Sequence, residues 1–161
     1  RTLISVKLPL QNLVSRASRV FCESTPMGHY ATLVCGRASA SGEVEICNAG
    51  HLPPLVISDR SIQPIEATGL PLGLFCDEQF STVKLQLAAG DKLLLYTDGL
   101  SEAQNASGIE YGTERLIRLA SEWGAVTPRD IVAACRNDVS AFLDGSQKTD
   151  DFTLLALQRT K

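Results

Sequence analysis

The chain has 161 residues, 44% of them hydrophobic and 20% charged, an ordinary composition for a globular fold around one buried core. Its formal net charge of -3 gives no long-range pull toward nucleic acid or an anionic membrane surface, so neither partner is expected. No apolar run approaches the roughly 20 residues that span a bilayer, and one cytoplasmic domain over residues 1–161 is the expectation.

Arg1 to Val6 is apolar-rich and carries no cap, as though the chain entered midway through a helix. A helix is predicted from Pro9, with Leu10, Leu13, Val14, Ala17, Val20 and Phe21 as its buried stripe. The period then changes to two. Ala31 to Arg37 and Glu43 to Asn48 read as a hairpin joined by the small residues Ser39 to Gly42. Leu55 to Ser58 and Ile62 to Ile65 form a second hairpin around Asp59 and Arg60, and Val83, Leu85 and Leu87 alternate again. Lys92 to Tyr96 is nearly all apolar, which predicts a strand buried on both faces.

Helices return with Thr113 as a cap ahead of Leu116, Ile117 and Ala120, ending near Gly124. Thr127, Pro128 and Asp130 read as a cap, a first-turn proline and an acidic third position. Ile131, Ala134, Cys135 and Phe142 supply that helix's inner face, and Phe152 to Leu157 closes the chain as a strand. Strands bracketed by helices point to an α+β fold with helices on antiparallel sheet. The five cysteines, at 22, 35, 47, 76 and 135, are odd in number and include no Cys-x-x-Cys pair. Reduced core thiols are therefore expected rather than a disulfide framework, and two histidines without paired ligand spacing argue against zinc.

Three segments carry chemistry. In Tyr96-Thr97-Asp98-Gly99-Leu100-Ser101-Glu102 a buried strand ends at a carboxylate followed by glycine. If a helical turn starts after Asp98, Glu102 shares its face, and two carboxylates on one face suit a hard cation. Taken alone, an Asp-Gly pair is more often a plain turn. Asp150 and Asp151 stand side by side before the last strand, which needs either a positive partner or a surface turn. Asn48-Ala49-Gly50-His51-Leu52-Pro53-Pro54 is a rigid loop whose histidine either bonds a backbone group or belongs to a site.

In order and context these segments resemble the signatures of SpoIIE/RsbU-type phosphatase domains, bacterial members of the type 2C (PPM) superfamily. The likeness runs from about Tyr30 to Arg159 and includes Gly69-Leu70-Pro71-Leu72-Gly73, Ala89-Gly90-Asp91 and Ile109 to Leu116. It implies a PPM-type α-β-β-α sandwich and hydrolysis of phosphoserine or phosphothreonine by a water held on two Mn²⁺ or Mg²⁺ ions. Asp98 and Asp150 match the family's catalytic metal aspartates, with Asp151 a neighbouring ligand and Glu102 an acid for an additional ion. Gly99, Gly50 and His51 are candidate site-loop residues.

The family's early Gly-Asp strand and Asp-x-Ser-Gly-His-Gly loop do not occur in these residues. The fold is accordingly expected to be incomplete at its N-terminus, with a partial metal site. The resemblance implies a phosphorylated protein as substrate, such as a STAS-type anti-sigma-factor antagonist, and an upstream sensor or receiver domain. A homodimer through an open sheet edge and a non-catalytic binding module with the same fold are the alternatives carried forward.

Overall fold

The computed structural model describes residues 8–59, 61–123, 126–145 and 150–160. The expectations for Arg1 to Val6, Arg60 and Gly124 lie outside the described residues. In chain order the elements are α1 (Leu10–Ser24), β1 (Leu33–Ala38), β2 (Glu43–Ala49), β3 (Leu55–Ile57), β4 (Ile62–Pro64), β5 (Val83–Gln86), β6 (Lys92–Tyr96), α2 (Asp98–Ser101), α3 (Thr113–Ser121), α4 (Pro128–Leu143) and β7 (Leu154–Gln158). The α+β class and both hairpins are as the sequence implies. The chain divides into two compact units, Arg1–Pro53 with Ile65–Leu87 and Pro54–Pro64 with Ala88–Lys161.

In the first unit β1, β2 and β5 form an antiparallel sheet in the order β1-β2-β5. Cys35 stands opposite Cys47 in the hairpin, and Val44 faces Leu85 across β2 and β5. Helix α1 lies against β1 and β2. Leu10 and Val14 join Cys47, Ala49, Leu72 and Phe80 in a buried cluster, each large apolar side chain contributing about 1.5–3 kcal/mol on burial. The inner face of α1 departs from its predicted stripe. Val20 is 49% exposed while Ser18 is buried, because the Ser18 hydroxyl accepts a hydrogen bond from Gly73 N–H at 3.3 Å. A polar side chain with a partner can occupy an inner position that apolar periodicity alone does not reveal.

The cysteines require a correction. Cys22 and Cys76 form a disulfide, leaving Cys35, Cys47 and Cys135 free, so the odd count conceals one pair. Closing a sequence separation of 54 restricts the unfolded chain by about 4 kcal/mol in the chain-entropy account.

The second unit carries an antiparallel sheet in the order β4-β3-β6-β7. Strand β6 is central, and Lys92, Leu93, Leu94 and Tyr96 are all buried, as its apolar run requires. Helix α4 packs on β7 and α3 on β4. The α4 start is the predicted capping box: Thr127 and Asp130 bond each other's backbone N–H. Its fully buried face is Ile131, Cys135, Val139 and Leu143, with the expected Ala134 and Phe142 half-buried beside it. The cap of α3 also differs. Gly112, at φ 76°, occupies the cap position, and Thr113 instead lies inside the first turn, accepting a 3.4 Å bond from the Tyr96 hydroxyl.

Candidate functional site

The pairing of β6 with β7 decides the geometry around the acids. These strands run antiparallel with Tyr96 opposite Leu154, so the C-terminal end of β6 meets the N-terminal end of β7. Beyond that last pair the chains stay joined. Thr97 N–H donates to Thr153 O at 3.1 Å, and Thr153 N–H donates to the Thr97 hydroxyl at 2.8 Å. Asp98 and Asp150, 52 positions apart in sequence, therefore belong to segments held at one end of the sheet.

Gly99 makes this approach sterically feasible. A Cβ there would collide with the Asp151 carbonyl oxygen and lie 2.9 Å from its carbonyl carbon, so only glycine lets the two backbones pass. The neighbouring α2 turn fixes Glu102: its N–H donates to Asp98 O at 2.7 Å, one helical turn along, as the spacing predicts. Side chains of Asp98, Glu102, Asp150 and Asp151 are all exposed. Their hydrogen bonds are local: Asp98 Oδ1 accepts from Gly99 N–H at 2.9 Å and Asp150 Oδ1 from Asp151 N–H at 2.7 Å. Each carboxylate thus keeps acceptor capacity for a ligand.

Gly50 and His51 belong to the first unit. Gly50 has φ 65°, and a Cβ on it would lie 2.5 Å from the Pro71 ring. The loop is organised by Asn48, a residue whose part the motif reading did not single out. Buried Asn48 accepts from His51 N–H at 2.9 Å and donates through Nδ2 to Ile65 O at 3.2 Å, while its N–H donates to the Thr68 hydroxyl at 2.9 Å and its backbone O accepts from Thr68 N–H at 2.7 Å. The His51 ring meets a side chain rather than a backbone group, with Nδ1 3.1 Å from the Thr32 hydroxyl. The carboxamide's paired donor and acceptor, at the end of a strand, was the signal available in sequence.

An acid-centred cluster around Asp138, in the same unit as Asp98, escaped sequence reading altogether. Asp138 on α4 accepts from the Tyr111 hydroxyl at 2.6 Å and from Arg115 on α3 at 2.8 and 3.0 Å. The Arg115 guanidinium also lies 4.8 Å from the Phe142 ring centroid. The Arg115 hydrogen bonds hold the Asp138 carboxyl below its ordinary range, while burial and then the Asp138 bond push the Tyr111 hydroxyl up. These groups are mutually satisfied and join α3 to α4.

Oxygen donors of the Asp98, Glu102, Asp150 and Asp151 type suit Mg²⁺ or Mn²⁺. Among the described residues, however, no three or more His, Cys, Asp or Glu side chains converge as a metal-holding group. The donor chemistry of these residues fits such ions.

The family model for stage II sporulation protein E (SpoIIE) matches residues 1–160. The chain belongs to the SpoIIE family. Among curated relatives it is 29% identical over 140 residues to Protein IcfG of Synechocystis, covering 85% of this chain and 22% of that protein. It is 30% identical over 114 residues to the phosphoserine phosphatase RsbU of Bacillus subtilis, covering 70% of this chain and 33% of that one. The chain thus spans a third or less of these relatives.

Among solved structures, the RsbU and RsbW domains of Rv1364c from Mycobacterium tuberculosis align with a TM-score of 0.75 and 32% identity, over 99% of this chain and 45% of that one. The PP2C phosphatase domain of SpoIIE from Bacillus subtilis, with a fragment of its regulatory domain, aligns with a TM-score of 0.82 and 19% identity, over 98% and 47% of the two chains. The SpoIIE-family chain therefore has the fold of part of a PP2C-type phosphatase domain.

Proposed function

We propose that residues 1–161 are the C-terminal portion of one metal-dependent protein serine/threonine phosphatase domain. The observation that carries this reading is the meeting of the Asp98-Gly99 turn with the Asp150-Asp151 segment at the end of β6 and β7. Membership of the SpoIIE family, and a relative named as a phosphoserine phosphatase, support it. In this reading Asp98 and Asp150 hold Mn²⁺ or Mg²⁺, Asp151 assists, and Glu102 serves an additional ion. Bound there, such ions would activate a water toward the phosphoryl group and neutralise its charge.

The chain's own contribution is positional. The Thr97–Thr153 bonds and the Gly99 contact hold the two acidic segments in register, and the exposed carboxylates present free oxygen lone pairs. Gly50 and His51 are proposed as site-loop residues on the motif match. The substrate class is a phosphorylated protein, with a STAS-type anti-sigma-factor antagonist as the specific proposal. Upstream sensing, homodimerisation and a cytoplasmic setting belong to the same proposal. No helix among the described residues is long and apolar enough to cross a membrane.

One observation favours a second reading, a non-catalytic protein-binding module: no three-donor cluster is present among the described residues. Mn²⁺-dependent hydrolysis of p-nitrophenyl phosphate by the full-length protein separates the two. The phosphatase reading expects metal-dependent turnover that Asp98→Asn and Asp150→Asn each remove. Absence of turnover from a folded, Mn²⁺-loaded protein would establish the binding module instead.

A further inference from the structure

The last turn of α1 and the loop after Gly73 are joined by an unusual concentration of contacts. Ser18 accepts from Gly73 N–H, and the Phe21 ring fills the space a Cβ on Gly73 would occupy, 2.5 Å from that point. Arg19 and Asp77 pair at 3.7 Å, both in solvent. Between them Cys22 and Cys76 are bonded, with Cα atoms 5.7 Å apart, inside the range of about 4.4–6.8 Å usual for bridged cysteines.

Access separates Cys76 from the other cysteines: it is exposed, Cys22 and Cys35 are half-buried, and Cys47 and Cys135 are buried. Burial pushes the thiols of Cys35 and Cys47 up, and that of Cys135 to about 12, which keeps them protonated and poorly nucleophilic. Exposed disulfides are the exchangeable class.

The loop reaches further than the bridge itself. Pro71, two residues before Gly73, packs on Gly50, and Gly69 bridges Ala49. One short segment therefore touches α1 at one end and the Gly50-His51 loop at the other, all within the first unit.

We propose that Cys22 and Cys76 are a reversible thiol–disulfide modification site that latches α1 to this loop, exchanging with glutathione-type disulfides and with dithiol reductants. On closing, one thiolate attacks a sulfur of glutathione disulfide and expels a glutathione thiolate, leaving a mixed disulfide. The second thiolate then displaces the remaining glutathione. Two protein thiols lose two electrons and two protons, and one glutathione disulfide becomes two reduced glutathiones. A dithiol reductant opens the latch by the reverse exchange. Opening removes the covalent tie while leaving Ser18, Phe21 and Arg19 as the weaker contacts, which loosens the segment carrying Pro71 under Gly50.

The test is independent of phosphatase turnover because it reads thiols and amides. The full-length protein is equilibrated in glutathione buffers from reducing to oxidising, quenched in acid, alkylated with N-ethylmaleimide and mapped by peptide mass. Cys22 and Cys76 should lose alkylation together in a single two-electron transition, while Cys35, Cys47 and Cys135 give no disulfide at any ratio. Hydrogen exchange of the two end states should show faster deuterium uptake at residues 19–24 and 48–51 once the latch is open. Cys76→Ser should show the open pattern in every buffer, with Cys22 alkylated under reducing ratios and carrying a single unresolved glutathione under oxidising ones. The proposal is overturned by independent alkylation of the two cysteines at every ratio, by a bridge that persists in dithiothreitol under native conditions, or by unchanged uptake at residues 48–51.

Discussion

Aspartates within one structural unit have opposite fates. Asp138 is enclosed by Tyr111 and Arg115, with both of its carboxylate oxygens engaged. Asp98 and Asp150 have exposed side chains whose hydrogen bonds come from the backbone N–H of the next residue. A satisfied carboxylate stabilises the fold and has little left to offer a ligand, whereas an under-satisfied one fixed by backbone geometry is available to a cation. Exposure and partner count, rather than acidity of the residue type, separate the structural acid from the candidate catalytic ones.

The strongest way to break this contrast is to exchange the effects of the two groups. Asp98→Asn should lower metal-dependent turnover by more than the roughly 10–100-fold typical of outer-shell changes, with the thermal midpoint unchanged. Steady-state kinetics with a parallel melting curve checks this, and preserved turnover would remove Asp98 from the site. Gly99→Ala should lose both turnover and stability, because its methyl meets the Asp151 backbone, and overpacking of this kind costs about 1–3 kcal/mol. Wild-type stability in urea would mean that the two segments part without cost.

Asp138→Asn should behave in the opposite sense. It removes a charge-assisted bond worth roughly 1.5–3 kcal/mol and should lower the urea midpoint while sparing the turnover of the folded fraction. Its pH dependence has a definite sign. The carboxyl of Asp138 is held below its ordinary value, so its contribution is complete above the unfolded value of about 3.9 and disappears as pH falls through the lower folded value. The wild-type advantage over Asp138→Asn should therefore shrink on acidification below about pH 4, measured as the difference between their unfolding midpoints. The smallest effect concerns a helix end. Thr127→Ala removes half of the α4 capping box and should lower the melting temperature by about 2–4 °C.

Much of the local architecture was legible in the sequence. The β1–β2 and β3–β4 hairpins follow from alternating strands on either side of short turns, and the burial of β6 follows from its uninterrupted apolar run. Thr127 and Asp130 announced the start of α4 because a capping box needs only residues three positions apart. The side chains in the candidate site were also legible, since Asp98-Gly99 and Asp150-Asp151 sit in recognisable segments. The face of α1 was less so. A hydroxyl with an outside partner takes an inner position at Ser18 while Val20 stays exposed, and that partner is not visible in helical periodicity.

What the sequence by itself determined is the set of choices made within a turn or two of chain: helix starts, strand alternation, capping and the family motifs. The tertiary structure alone decided which distant residues became neighbours. It set the Asp151 backbone against Gly99, placed Asp138 between Tyr111 and Arg115, and brought Cys76 to Cys22. Local rules act through neighbours at fixed spacing, where only a few dihedrals separate the partners. Distant partners are selected by strand register, backbone clearance and packing, which take shape only when the loops between them have closed.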